Sequence, residues 1–257
     1  MRALIGYTGF VGGNVDRQGA FDARINSKNI GALAGGDFDE IWCAGIQAVK
    51  WWANQNPDDD WRGIKTLLDV LETVKTRRFV LISTVDVFRS PVEVDERTQP
   101  QCDGLHAYGL HRLRVENWVR EHFPRHLIVR LPGLYGDGLM KNVIYDLLTG
   151  NNLGNLQADA IFQFYNLARL TTDIDLALSA ELDLVHFATE PVSVADLAAR
   201  AFDLAIATRP GLAAPRYDMR TIHAGLWKRN GYYLETSEEV LRGIRAFVAS
   251  VRFKDRT

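Results

Sequence analysis

The stretch GYTGFVG, residues 6–12, directly follows the apolar run RALI at the start of the chain. Three glycines spaced by three, after a strand and before a helix, leave few folds open. Gly6 permits a tight turn. Gly9 lets backbone approach a pyrophosphate. Gly12 lets the next helix pack close to the strand, with its N-terminal amides facing the phosphates. Thr8, Phe10 and Val11 complete the predicted cradle. On its own, such a loop serves equally well as a plain strand-to-helix turn.

The pattern of the remaining chain weighs on that choice. Short apolar runs alternate with amphipathic helical stretches: RALIGY, FDARIN, FDEIWCAG, RRFVLIST and HLIVRLPGLYG read as five strands. DDDWRGIKTLLDVLETVKT, residues 58–76, reads as a helix with Trp61, Ile64, Leu67, Leu68, Leu71 and Val74 on one stripe. YGLHRLRVENWVREHF, residues 108–123, is a second helix, ended by Pro124. Continuous apolar strands between helices indicate a parallel sheet covered on both faces. The predicted fold is therefore α/β, a doubly wound parallel sheet (Rossmann) with a small interleaved C-terminal substrate lobe. Residues 1–138 form the dinucleotide-binding domain, parts of 160–190 rejoin it, and 139–257 form most of the lobe.

In such sheets ligands bind beyond the carboxyl ends of the strands. The end of strand two chooses the nucleotide: an acid there binds a ribose 2′-hydroxyl, a basic group a 2′-phosphate. Here Asn26, Ser27 and Lys28 offer no acid. That leans to NADP over NAD, although Lys28 also suits plain solvation. A net charge of −2 over 257 residues gives no strong pull toward nucleic acid or anionic membrane. Two cysteines and six histidines without metal spacing predict neither a disulfide framework nor a metal. With no signal-like or membrane-length apolar run, a cytoplasmic setting is expected.

Taken in order, GYTGFVGG, IWCAG, FVLISTVDVF, HAYGLHR, IVRLPGLYGDG and ATEPVSVADLA resemble the extended short-chain dehydrogenase/reductase superfamily. The resemblance is to its NAD-dependent epimerase/dehydratase group, which acts on sugar nucleotides. It implies a catalytic hydroxyl at Thr84 with Ser83 beside it, cofactor contacts at Cys43, Ala44 and Gly45, and a nicotinamide passing Leu131 and Pro132. It also implies the acid/base pair Tyr108 and Arg112, where the family has Tyr and Lys. The asparagine often found in the helix before strand four is not visible in DDDWRGIK.

A free tyrosine has a pKa of about 10, so lowering it to near 7 takes roughly 4 kcal/mol. A cation about 5 Å away supplies roughly 3 kcal/mol at an effective dielectric near 20. Arg112, one helical turn from Tyr108, has the right sign. Unlike lysine, it is always charged and relays no proton. His111 is a weak candidate for that relay. The plain alternatives are a half-buried tyrosine at a helix start and a surface pair of Arg112 with Glu116. Lys50, Asp86, Arg169 and Arg220 are substrate candidates, the arginines as diphosphate clamps, with ordinary ion pairing as their alternative.

The expected activity is that of an NAD(P)-dependent oxidoreductase or epimerase on a nucleotide-linked sugar, in surface-polysaccharide or deoxysugar biosynthesis. A 4-keto-sugar reductase resembling dTDP-4-dehydrorhamnose reductase is the alternative within the class. A non-catalytic NADP(H)-binding sensor or scaffold is the alternative outside it. No nucleic-acid or membrane partner is expected. The two long helices resemble those of a four-helix homodimer interface in this superfamily, and their apolar stripes suit packing on the sheet equally well.

Overall fold

The computed structural model describes residues 1–208 and 214–254. The chain divides into two compact units. The first holds Met1–Arg89, Thr98–Arg130 and Ala168–Val185; the second holds Ser90–Arg97, Leu131–Leu167 and His186–Thr257. The division after strand five falls at Leu131, ahead of the expected 138, because the chain leaves the sheet there. Ser90–Arg97 joins the second unit, a departure the sequence did not suggest.

The main elements are β1 (Arg2–Ile5), α1 (Phe10–Gln18), β2 (Ala23–Ile25), β3 (Glu40–Cys43), α2 (Lys50–Gln55), α3 (Pro57–Leu71), β4 (Phe79–Thr84), α4 (Ala107–His122), β5 (His126–Leu131), α5 (Leu170–Ser179) and β6 (Leu184–His186). The six strands form one sheet in the order β2-β1-β3-β4-β5-β6. β1 runs parallel to β2 and β3, and β3 parallel to β4. The order reverses between β1 and β3. At such a reversal successive connections diverge to opposite faces and open a crevice beyond the strand ends.

Helix α3 shows how the sequence pattern becomes packing. Pro57 occupies its first turn with Asp58, Asp59 and Asp60, matching proline's fixed φ and the dipole's preference for anions. Ile64, Leu67, Leu68 and Leu71 are buried in one cluster with Ile41, Phe79, Val115 and Phe123. At about 1.5–3 kcal/mol per buried side chain, this stripe holds α3 in place more than helix propensity does. The stripe is thereby spent on the unit's own core, so a homodimer through this helix would have to use its other face. The helix stops at Leu71, short of the expected 76. Lys75–Thr76 instead pairs with Asp37–Phe38, as suits the β-branched residues Thr73, Val74 and Thr76.

The second unit packs the helices Val143–Thr149, Val194–Phe202 and Ser237–Lys254 around Tyr135, Phe164, Leu197 and Ile244. Short strand pairs join Gly133–Tyr135 to Phe164–Asn166 and Val92–Val94 to Asp218–Met219. Ser193 caps its helix by accepting from Asp196 N at 2.9 Å. No helix among the described residues is long and apolar enough to cross a membrane.

The glycine loop gives a direct test of this packing. A Cβ on Gly12 would stand 2.0 Å from Gly6 O, whereas one on Gly9 would meet only Gly6 O, at 3.3 Å. Gly12→Ala is predicted to cost about 3 kcal/mol or more in urea unfolding, and Gly9→Ala less than about 1 kcal/mol. Equal costs for the two would show that Gly12 is not in this close contact.

Candidate active site

The loops after β1, β2 and β3 and the turn directly after β4 carry many of the predicted site residues, and these stretches belong to the first unit. Gly6 sits at φ +87, and a Cβ there would come within 2.5 Å of Ala44 O. The turn after β1 therefore lies against the loop after β3. Gly9, the exposed N-cap of α1, makes no side-chain cap hydrogen bond and has φ −82. Internal packing thus demands glycine at 6 and 12 but not at 9. At Gly9 the absent side chain leaves backbone open above the first amides of α1, which is the fit a pyrophosphate needs. Thr8 is exposed, and Phe10 and Val11 are half-buried.

At the end of β2, Asn26 organises its own turn. Its Oδ1 accepts from Lys28 N at 2.9 Å and its Nδ2 donates to Tyr7 Oη at 3.3 Å. Ser27 and Lys28 are exposed on that turn. The expectation for Cys43 changes: its side chain is packed in the core cluster. Burial pushes the thiol up to about 11. Any ligand contact there would come from backbone or from Ala44 and Gly45.

Tyr108 and Thr84 come together. Tyr108 starts α4 and is buried, with the Thr84 hydroxyl near enough to its phenol to favour the ionised form. Its backbone N–H donates to Asn54 Oδ1 at 2.9 Å, which fixes the helix start against α2. Gly109 is needed beside it, since a Cβ would stand 2.1 Å from Asp86 O. Thr84 also accepts from Asp86 N at 3.1 Å, capping the short turn Val85–Val87. Strand alternation sends Ser83 to the other face. There its hydroxyl donates to Glu116 Oε1 at 2.6 Å, so it serves the interior and not a cofactor.

Arg112 is not the surface residue of the plain alternative, and it does not pair with Glu116. It is buried, and its Nη1 and Nη2 donate to Asp60 Oδ2 and Oδ1 at 2.5 and 3.0 Å. Nη2 also donates to Gln47 O, and Nη1 to Tyr108 O at 3.3 Å. The guanidinium carbon lies 4.0 Å from the centre of the Tyr108 ring. Nε is buried without a hydrogen-bond partner. Asp60 also takes His111 Nδ1 at 2.7 Å, which removes His111 from any relay. The expected lowering of Tyr108 fails to prevail. Burial raises its pKa, Asp86 adds to the rise, and Arg112, Thr84 and Lys50 only oppose it. The phenol therefore holds its proton at neutral pH.

Glu116, one turn further along α4, receives Arg130 Nε at 3.0 Å and Nη2 at 2.6 Å, with both residues fully buried. Neither this pair nor Asp60 was singled out from the sequence, yet each left a signal. Asp60 stands four residues before Ile64, in phase with the apolar stripe of α3. Arg130 interrupts the apolar run HLIVRL. Lys50 Nζ pairs with Asp86 Oδ1 at 2.8 Å beside Thr84. The clamp arginines are already engaged: Arg169 with Asp173 at 3.4 Å, and Arg220 with Glu93 at 2.6 Å and Asp218 at 2.9 Å. Leu131 and Pro132, in the second unit, are buried. Among the described residues, no group of three or more His, Cys, Asp or Glu is placed to hold a metal ion.

Residues 22–164, more than half of the chain, match the model of the NAD dependent epimerase/dehydratase family. The chain belongs to that family. No curated protein sequence matches it. Its fold is similar to that of dTDP-4-dehydrorhamnose reductase from Bacillus anthracis, solved with NADP, at 19% identity and a TM-score of 0.73 over 97% of this chain and 99% of that one. It is similar also to RMD from Pseudomonas aeruginosa, solved with NADPH, at 17% identity and TM-score 0.72 over 97% and 99%. UDP-glucose 4-epimerase from Thermotoga maritima, solved with UDP-glucose, superposes at 14% identity and TM-score 0.71 over 99% of each chain. The family match begins after the glycine loop, so the loop's assignment rests on its own geometry.

The Glu116–Arg130 pair yields a stability prediction. Burial alone would raise the Glu116 pKa, but Arg130 and the Ser83 hydroxyl outweigh it and hold the carboxyl below its ordinary value. A lowered folded pKa gives stability that is present above the unfolded value and lost as pH falls through the folded one. Glu116→Ala should lose roughly 3–5 kcal/mol at neutral pH. It should also lose part of the acid-side slope seen when parent stability is followed down from about pH 5. A variant as stable as the parent would remove this pair from the fold's supports.

Proposed function

We propose that the chain binds NAD(P) on the loop Gly6–Gly12 and transfers hydride to or from a carbon of a nucleotide-linked sugar, with Tyr108 as the acid/base. The observation that carries this reading is the buried Tyr108 phenol, set beside Thr84 and backed by the Arg112 guanidinium. The dinucleotide supplies or accepts the hydride. The chain's residues manage the oxygen on the same carbon. Thr84 holds that oxygen by a hydrogen bond and orients it toward Tyr108. Tyr108 gives its proton to the oxygen or takes one from it. Arg112 offers positive charge to the phenolate.

A 4-keto-sugar reductase is the second reading within this class, with Tyr108 giving its proton to the oxygen of the ketone being reduced. The chain would then consume reduced cofactor one for one, where an epimerase would consume none. The exposed Ser27 and Lys28, with no acid at the end of β2, support NADP(H) over NAD(H). The engagement of Arg112 by Asp60 supports the sensor reading, which requires saturable NADP(H) binding with no turnover.

Tyr108→Phe is expected to abolish turnover while the dissociation constant for NADPH, read by fluorescence titration, changes less than about threefold. Gly9→Val should instead act on binding, weakening NADPH affinity by about tenfold or more at nearly unchanged stability. Full activity in Tyr108→Phe would remove the tyrosine from the chemistry.

A further inference from the structure

We propose that His106 is a substrate-orienting hydrogen-bond donor of this site, offering its Nε2–H to an oxygen of the bound sugar from a ring that neighbours the Tyr108 ring. The proposal rests on the sugar-nucleotide reading of the site and adds a residue to it.

His106 is the N-cap of α4. Helices ordinarily begin on Ser, Thr, Asp or Asn, so imidazole is an unusual choice for that task alone. Its Nδ1 accepts from Gly109 N at 3.0 Å. A ring nitrogen that accepts carries no proton, so the neutral imidazole must carry its hydrogen on Nε2. The cap therefore fixes the tautomer. Among the described residues none accepts from that Nε2–H.

The ring's surroundings are those of the site. Its centroid lies 6.2 Å from that of Tyr108. A Cβ on Gly109 would stand 3.1 Å from His106 Cε1 and 2.1 Å from Asp86 O. Glycine thus lets the imidazole, the turn after Thr84 and the start of α4 meet at one point. The charged groups bearing on the ring are Lys50 from α2, Asp86 from the turn and Arg112 from α4. Burial, and then Lys50, hold its pKa below the ordinary histidine value, with Asp86 opposing. At neutral pH the ring stays uncharged, the cap stays made, and Nε2–H remains a donor. No bond is made or broken by His106. It steadies the oxygen while Tyr108 moves the proton.

A change that keeps the cap and leaves no donor at the Nε2 position, because the side chain is shorter, separates the two roles. Ser and Asn cap at least as well as imidazole. His106→Ser and His106→Asn should melt as the parent does. Both should lose roughly tenfold or more in turnover with a dTDP-4-keto-6-deoxy sugar and NADPH, or with UDP-glucose and NAD. In the parent chain loaded with NADP, nitrogen NMR should find the His106 proton on Nε2 and a titration midpoint below that of a free histidine. Unchanged turnover in both variants would overturn the proposal, as would an Nδ1–H tautomer or a ring charged at neutral pH. Failure of the parent to turn over either sugar would instead count against the proposed function. The NMR measurement needs no turnover and still decides for or against His106.

Discussion

Helix α4 carries two buried ion pairs one turn apart, and the geometry of the site depends on them. Arg112 ties the helix to Asp60 of α3, and Glu116 ties it to Arg130 of β5 and Ser83 of β4. Charges inside a sheet-and-helix core are costly unless nearly every donor and acceptor is met. Because they are met only in this one register, α4 cannot slide or roll without leaving a buried charge unpaired. Tyr108 stands one turn before these anchors, and Gly109 lets it approach the turn after Thr84. The placement of Tyr108 beside Thr84 is thus held by ion pairs that the phenol oxygen does not itself join.

The same pairs shape what the tyrosine can do. An arginine one turn away promises, from charge alone, a phenol pulled toward ionisation. In the fold that arginine lies against the face of the ring, not at the hydroxyl, and shares its charge with a carboxylate in contact with it. Burial then wins, and the phenol keeps its proton. Lys50 and Asp86, paired at 2.8 Å, add a second cation and anion at the same turn. Charge around Tyr108 and His106 is therefore balanced locally instead of being dominated by one residue.

Much of this was legible in the sequence, for reasons that differ from residue to residue. The strand starts and the α3 stripe could be read because apolar periodicity reports burial directly. Ser83 and Thr84 could be named together, but strand alternation gives them opposite faces and unrelated partners. Asp60 lay hidden among three consecutive aspartates that all suit a helix start. Only its phase with Ile64 and Leu67 marked it as inward. His106 looked like a flanking residue of a tyrosine motif, and its capping bond appears only once Gly109 begins a helix.

By itself, the sequence determined the order of strands and helices, the glycine turn after β1 and the succession of Thr84 and Tyr108 on which the acid/base proposal rests. These depend on local periodicity and on side-chain types that few other folds would place in that order. The tertiary structure alone decided that Arg112 is buried on Asp60, that Glu116 belongs to Arg130, that Cys43 and Ser83 face inward, and that Tyr108 keeps its proton. Each of those outcomes is a balance between desolvation and a specific partner many residues away. That balance has no value until the chain has folded and both groups have left water together.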